Sequence, residues 1–141
     1  MEEMLCIGKR ADNGEWVEGY YVCLNKKEHR IYTGYAETDC GDYYPEWYKV
    51  DPATVGRYTS LQDKYGKRIF SGHIIKAITP DKKASGLFKI GIGEVNVGEY
   101  KAIEVYCEDI NGNRGDMVAG VSECYEVVGN IYDTPELLKK D

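Results

Sequence analysis

The sequence predicts a mostly β protein, either all-β or a β-dominated α+β fold, and three observations support this prediction. Short segments rich in β-branched and aromatic residues alternate along the chain with Gly, Pro, Asn and Asp, as strands and turns do. Residues 103–108 alternate with a period of two, which is the spacing of a half-buried strand. Thirteen tyrosines stand against two phenylalanines and two tryptophans, and tyrosine suits half-buried sheets because its hydroxyl group needs a partner.

The first half of the chain is predicted to begin with a β-hairpin, whose turn is Asp12-Asn13-Gly14. Its strands are predicted at 4–10, 15–24, 30–35, 43–50 and 57–59. Pro45 marks an edge or a bend in the aromatic strand. Asp51-Pro52 predicts a single helical turn, because Asp caps helices and Pro fits their first position.

The second half is predicted to consist of further short strands joined by turns. These strands lie at 68–70, 73–79, 87–97, 100–107 and 124–132. Gly91 and Gly93 are interpreted as bulges or bends, since no helical pattern follows them to complete a phosphate-binding loop. Thr134-Pro135-Glu136 predicts a short C-terminal helix, with Thr as its cap and with Leu137 and Leu138 packing back onto the body.

The charge of the chain gives no general electrostatic attraction for nucleic acid. The formal net charge is −6 and both halves are acidic. The local exceptions are two basic clusters, Lys26, Lys27 and Arg30, and Lys64, Lys67 and Arg68. We interpret both clusters as solvated loops, because charge runs usually face water.

The cysteines predict a reducing compartment. There are five, at positions 6, 23, 40, 107 and 124, an odd count whose wide spacing matches neither a disulfide framework nor a zinc motif. The first ten residues, MEEMLCIGKR, lack an apolar core of signal-peptide length. No segment approaches the roughly 20 apolar residues of a membrane span. We therefore expect a cytoplasmic protein without membrane contact.

No residue is predicted to be catalytic, cofactor-binding or metal-binding. His73 is interpreted as a surface or capping residue at the start of a strand, and a Cys40 nucleophile with His29 as its base requires that the two meet in space. The loop from Asp109 places oxygen side chains at alternate positions, as a calcium-binding EF-hand loop does, but Arg114 stands where the sharp turn needs Gly. An Asn-Gly hairpin connection accounts for the same residues.

The aromatic residues are the most suggestive feature. Nine of the thirteen tyrosines precede residue 70. They can fill a half-buried sheet, anchor a protein interface or stack on nucleic acid bases. Residues 31–48 contain no basic side chain, which favours a protein interface over nucleic acid. The predicted interaction surface consists of Trp16, Tyr44, Trp47 and Tyr48.

Three segments together resemble the YopX family of phage and prophage proteins. The first contains GKR at 8–10, NGEWV at 13–17 and GYYV at 19–22. The second contains VDP at 50–52, TVG at 54–56, YT at 58–59, Leu61, DK at 63–64, GK at 66–67, IF at 69–70 and Gly72. The third contains VGNIY at 128–132 and PELL at 135–138. The chain departs from the expected family pattern at three positions, where Arg57, Ser60 and His73 stand in place of Gln, Gly and Asp.

The resemblance implies a phage gene product that works in the bacterial cytoplasm, with an SH3-like roll in its C-terminal part. We therefore expect an aromatic-rich β region over residues 1–66 and an SH3-like roll with a C-terminal tail over residues 67–141. The resemblance supplies no reaction. We favour a non-enzymatic accessory protein that binds an unidentified protein or a second copy of itself. The alternatives are a nucleic-acid-binding module and an enzyme with an unrecognised site.

Overall fold

The computed structural model describes residues 5–117 and 121–139. Strands hold 64% of them and helical turns hold 5%, which confirms the predicted β-dominated class. The chain forms two compact units, Met1–Tyr58 and Thr59–Asp141. The division into domains at residues 66 and 67 and the SH3-like roll stay predictions.

The strands of the first unit follow one another along the chain. They are β1 (Leu5–Arg10), β2 (Trp16–Leu24), β3 (Glu28–Glu37) and β4 (Tyr43–Gln62), the last of which continues into the second unit. Each strand pairs antiparallel with the next, and β4 also pairs antiparallel with β1. The four strands therefore close into a ring, whose side chains point alternately to its inside and to its outside.

The inside of this ring is narrow. Ile31 and Val50 fill it and are 0% and 2% exposed. A Cβ atom on Gly8 would lie 2.8 Å from the Cδ1 atom of Ile31 and 3.3 Å from Val50. A Cβ atom on Gly19 would meet the backbone carbonyl of Tyr32. Neither glycine position has room for a side chain, so the strands close tightly around Ile31, Val50 and the buried Cys6, which is 1% exposed.

The predicted helical turn at Asp51-Pro52 is wrong, because β4 continues through these residues as a strand. The pairing of β1 with β4 shifts in register between Ile7 and Lys9, which makes a bulge in β4 at this point. The hydroxyl group of Thr54 accepts a hydrogen bond from the Lys9 N–H at 2.9 Å and so holds the bulge against β1. Pairing with a distant strand thus overrides the local signal for a helix start.

The second unit contains the end of β4 and six further strands. They are β5 (Arg68–Phe70), β6 (His73–Ile78), β7 (Ser85–Val97), β8 (Tyr100–Glu108), β9 (Arg114–Asp116) and β10 (Tyr125–Asn130). An antiparallel sheet has the order β10-β6-β7-β8-β9. The buried core cluster of this unit consists of Ile69, Ile75, Ile90 and Tyr125.

Asp63 joins the turn after β4 to β10. Its buried carboxylate accepts hydrogen bonds from the N–H groups of Tyr65 and Lys67 at 2.9 Å and from the Val127 N–H at 3.1 Å. Burial raises the pKa of this carboxyl group, but the N–H donors and the positive charge of Lys67 outweigh that effect, so the pKa lies below its usual value. An ionised, fully bonded carboxylate therefore links positions 64 residues apart in the chain.

Gly91 provides room for an aromatic ring rather than the predicted bulge. β7 and β8 pair from Lys89 to Val97 without a shift in register. The ring of Tyr106 lies over Gly91, where a Cβ atom would touch it. The guanidinium carbon of Arg114 lies 4.1 Å from the centre of the same ring. The glycine therefore lets a tyrosine lie flat on the sheet.

The loop after β8 is the hairpin connection that its Asn-Gly pair predicts. β8 pairs with β9 across it, and Gly112 adopts a φ of 83°. The Asp109 carboxylate accepts hydrogen bonds from the N–H groups of Asn111 and Asn113, both at 2.9 Å. In this structure, the oxygen atom that an EF-hand loop would offer to calcium closes the turn.

The C-terminal segment packs back as predicted, but its cap differs. Pro135–Leu138 form one 3-10 turn, and the Thr134 side chain does not cap it. The Thr134 hydroxyl instead accepts a hydrogen bond from the Asn130 N–H at 3.0 Å and donates one to the Asn130 carbonyl at 3.1 Å. Gly129 leaves space for the Thr134 hydroxyl group, which a Cβ atom at this position would meet, and for Leu137, whose Cδ1 atom would lie 2.9 Å from it.

Replacing Gly19 with alanine should destabilise the first unit, because the new methyl group would meet the Tyr32 carbonyl within a closed ring. We expect the free energy of unfolding to fall by about 1–3 kcal/mol, measured by denaturant titration with tryptophan fluorescence and circular dichroism. Gly93→Ala is the control, since its Cβ atom would lie 3.5 Å from Tyr106, an ordinary contact. A change above about 1 kcal/mol is not expected there. Equal losses in the two variants would contradict the narrow interior.

Candidate functional site

The outside of the ring carries a row of apolar side chains that crosses all four strands. Its successive register partners are Leu5, Tyr20, Tyr32 and Trp47. Directly opposed residues of antiparallel strands share a face, and this face lies opposite to that of the buried Ile31. We call Tyr20, Tyr32 and Trp47 the outer aromatic row.

Much of this outer face is open to solvent. Tyr20 and Trp47 are 46% and 37% exposed. Beyond a shift in register that follows Tyr32, Tyr35 and Tyr43 continue the same alternation and are 76% and 70% exposed. A tyrosine that only fills a sheet hides most of its ring, so this degree of exposure indicates a surface available for contact.

Arg30 covers the ring of Trp47. Its guanidinium carbon lies 3.6 Å from the centre of the indole ring, a stacked cation–π contact. One guanidinium nitrogen donates a hydrogen bond to the Tyr32 hydroxyl at 3.1 Å and another donates to the Glu28 carboxylate at 2.9 Å. The Nε atom is buried and has no hydrogen-bond partner in the described part of the chain. The contacts hold the arginine flat on the outer aromatic row.

Two further basic side chains reach aromatic rings from β1. The Arg10 guanidinium lies 4.1 Å from the centre of the Tyr48 ring, and the Lys9 ammonium lies 5.9 Å from the Trp16 ring. Residues 31–48 contain no basic side chain, but neighbouring strands place cations over their rings. The absence of basic residues from 31–48 therefore does not leave the rings of Trp47 and Tyr48 without cations.

The structure does not bring the four predicted interaction residues to one face. Trp16 and Trp47 share the outer face, whereas Tyr44 and Tyr48 alternate with it and share the parity of the buried Val50. Tyr44 is 50% exposed, while Trp16 and Tyr48 are half-buried. Of the four, only Trp47 belongs to the outer aromatic row.

Sequence reasoning missed Tyr20, Tyr32 and Arg30 as neighbours of Trp47. The sequence does indicate that Arg30 and Tyr32 share a strand face, since they are two residues apart in a strand. The register that places them beside Tyr20 on one strand and Trp47 on the other has no such local signal.

The hypothesis of a Cys40 nucleophile with His29 as its base is wrong. His29 lies near the start of β3 and Cys40 follows its end, so roughly 25 Å of strand separates them. The ring of His29 instead stacks on Tyr21, with centroids 5.9 Å apart. The Tyr21 hydroxyl and the His29 Nδ1 atom share a hydrogen bond of 2.5 Å. His29 thus has a neighbouring tyrosine as its partner.

His73 is buried, so of its two interpretations, a surface residue or a capping residue, the first is wrong and the second agrees with its contacts. Its Nδ1 atom accepts a hydrogen bond from the Phe70 N–H at 3.1 Å and closes the turn between β5 and β6, in which Gly72 has a φ of 94°. Burial, and after it the positive charge of Lys67, lowers the pKa of His73 to about 4. His73 thus supplies the acceptor of this turn at a position where the chain departs from the expected family pattern.

The hairpin of β7 and β8 has a second exposed apolar surface, at its tip. Val97, Tyr100 and Ile103 are 60%, 77% and 55% exposed. The period of two in β8 predicts that Ile103 is half-buried, which is wrong because neither β6 nor β9 pairs with this part of the hairpin. The tip therefore projects as a two-stranded ribbon beyond the sheet.

Within residues 5–117 and 121–139, no group of three or more His, Cys, Asp or Glu side chains is placed to hold a metal ion. Neither of the short helical turns in these segments could cross a membrane. All five cysteines lie in the described segments, and none of them forms a disulfide bond.

These features define a β-dominated protein of two compact units, with a closed strand ring that presents aromatic and arginine side chains to solvent. The family model described as YopX protein matches residues 8–139, nearly the whole chain. The chain therefore belongs to the YopX family, which confirms the resemblance of the three segments. No curated protein matches the chain.

The burial of His73 predicts a pH dependence of stability. Its pKa is about 4 in the folded protein and about 6.5 in the unfolded chain, so the unfolded chain binds the proton first as the pH falls. The contribution of His73 is fully present above pH 6.5 and is lost between pH 6.5 and 4, a change of about 3 kcal/mol. His73→Asn keeps an acceptor for the Phe70 N–H but does not titrate, so its free energy of unfolding should decrease less over this range. Parallel pH profiles for the two proteins would contradict the buried neutral histidine.

Proposed function

We propose that this protein is a non-enzymatic accessory protein of a phage or prophage, which acts in the bacterial cytoplasm by binding another protein through the outer aromatic row. The observation that carries the proposal is the row of Tyr20, Tyr32 and Trp47 with Arg30 stacked on it. A second copy of the chain is one candidate for the bound protein.

The composition of this surface supports a protein partner. Tyr, Trp and Arg are the residues that most often dominate the binding energy of protein interfaces, where they cluster at the centre within a polar rim. The row is flanked by both signs of charge, with Arg30 bonded to Glu28 and Lys49 as its register partner on β4. Arg30 is also held in place before any partner arrives, which lowers the entropy that binding would cost.

Nucleic acid is the less favoured partner, because the cations cover the rings instead of lying between them. A base stacks on a free aromatic face, but one face of Trp47 lies against the Arg30 guanidinium and one face of Tyr48 lies against Arg10. The first unit carries seven Lys and Arg against eleven Asp and Glu, a net charge of −4. A polyanion would meet repulsion over most of this unit.

An enzyme remains the third hypothesis. The nucleophile and base named for it, Cys40 and His29, lie at opposite ends of β3. His73 is the acceptor of a structural turn. A catalytic role would therefore require residues other than these three.

The double variant Tyr20→Ser, Trp47→Ser tests the proposal. We expect it to lose the protein that the wild-type chain captures from infected host cells, or to lose the self-association that light scattering detects, while its circular dichroism is unchanged. Tyr100→Ser is the control, because this residue is 77% exposed but lies on the hairpin tip of the other unit. Single-stranded oligonucleotide binding is measured at low and high salt in parallel.

Two outcomes would overturn the proposal. A double variant that keeps every captured protein and its oligomeric mass would show that the row is not an interface. A double variant that loses only salt-sensitive oligonucleotide binding would place the nucleic-acid hypothesis first.

A further inference from the structure

The second unit contains a basic cleft of about 490 Å³. Three lysines line it together with two hydroxyl side chains and an apolar wall, and the residues used below are Lys64, Lys76, Lys82, Thr79, Ser85 and Ile78. A cleft of this size matches small-molecule sites, which combine apolar walls with a few polar groups. One of its lysines belongs to a cluster that the sequence alone assigns to a solvated loop.

The walls of the cleft are positive although the chain is acidic. Among the lining residues, Lys64, Lys76 and Lys82 stand against the single carboxylate of Glu123, an excess of two positive charges. Outside the wall, Glu126 lies 3.8 Å from the Lys64 ammonium, which is an ion pair but too long for a hydrogen bond. Even with Glu126 included, an excess of one positive charge remains.

The loop that carries Lys82 is ordered by its own hydrogen bonds. The Thr79 N–H donates to the Ala84 carbonyl at 2.9 Å, and the Lys82 N–H donates to the Thr79 carbonyl at 2.8 Å. The Asp81 carboxylate accepts bonds from the Thr79 hydroxyl at 2.5 Å and from the Lys83 N–H at 3.0 Å, so it is used within the loop. Lys82 adopts a φ of 61°, a conformation that non-glycine residues adopt at a cost. The hydrogen bonds of the loop therefore hold Lys82 in this conformation where it lines the cleft.

We propose that this cleft binds a small phosphate monoester whose organic part is apolar. A phosphate monoester carries nearly two negative charges at neutral pH and offers three strong acceptor oxygens. Three lysines line the cleft, one for each of these oxygens, whereas a carboxylate offers only two acceptor oxygens. The apolar side chains of Ile78 and Pro80 line the same cleft and would cover the organic part.

The volume favours a small molecule over a nucleic acid strand. A backbone-tracking groove for single strands combines basic residues with aromatic platforms along several nucleotides. Here the lysines converge on one cleft of about 490 Å³, and no tyrosine or tryptophan is among the residues described as lining it. A single phosphate group with a short organic body satisfies both the charge and the volume.

The test uses the full-length protein and isothermal titration calorimetry at low salt. Phenyl phosphate is the test ligand, with inorganic phosphate and phenol as its two parts measured separately. We expect phenyl phosphate to bind at one site per chain and more tightly than inorganic phosphate, and phenol not to bind. Tight binding of phenol, or the absence of binding by phenyl phosphate, would overturn the proposal.

Lys82→Asn locates the site, because asparagine tolerates the positive φ of this position while the charge is removed. We expect the Kd for phenyl phosphate to rise about tenfold, as for the loss of one charged hydrogen bond. Lys26→Asn is the matched control, since Lys26 has a φ of 59° in a turn of the other unit. The control should change the Kd by less than about twofold.

A second variant at another lysine of the cleft keeps the test decisive if Lys82→Asn does not fold. Lys76→Gln changes an exposed residue of β6 that also lines the cleft, and it should likewise weaken the binding of phenyl phosphate at least several-fold. Equal weakening by Lys26→Asn would show non-specific charge attraction and contradict the proposal. A ten-nucleotide single strand that binds more tightly than phenyl phosphate, and loses affinity in Lys82→Asn, would replace it with a nucleic acid site. Because all of these variants leave the outer aromatic row intact, failure here leaves the proposed protein interface standing.

Discussion

The closure of β1–β4 into a narrow ring is the constraint on which the first unit depends. Cys6, Ile31 and Val50 occupy the inside, and Gly8 and Gly19 lie where any side chain would clash with a core residue or with the backbone. An aromatic ring is too large for such an interior. The many tyrosines of these strands therefore lie on the outside or at the ends of the ring. The exposed aromatic surface is a consequence of how tightly the ring closes.

Local patterns in the sequence predict the strands and turns well, because these signals act over a few residues. Asp12-Asn13-Gly14 connects two strands as expected, and the Asn-Gly pair after β8 forms a hairpin connection. Ring closure depends instead on the pairing of β1 with β4, more than forty residues away. No local pattern in the sequence predicts that pairing. The same pairing replaces the expected helical turn at Asp51 with a bulge. The pairing of distant strands therefore explains why the sequence does not predict the ring and why it predicts a helical turn at Asp51.

The candidate site, too, is predictable where its features are local in the sequence and not predictable where they depend on the pairing of strands. Its aromatic composition is visible in the sequence, but the cations that cover its rings come from other strands, as Arg30 does for Trp47. His73 shows a related limit, because the sequence leaves open whether this histidine is a surface or a capping residue, and only the turn that buries it decides between the two. The three lysines of the basic cleft come from a turn, a strand and a loop, so only the fold brings them together.

The central claim is that the ring is held together from its inside, which leaves the outer aromatic residues available for a partner. Denaturant unfolding of two variants tests it most directly. Ile31→Ala removes a side chain that is 0% exposed, and it should lower the free energy of unfolding by about 2–5 kcal/mol. Tyr35→Ser combined with Tyr43→Ser removes two tyrosines that are 76% and 70% exposed, and it should change that free energy by less than about 1 kcal/mol. A loss in the tyrosine variant as large as that in Ile31→Ala would contradict the account, because the outer residues would then be part of what holds the fold together.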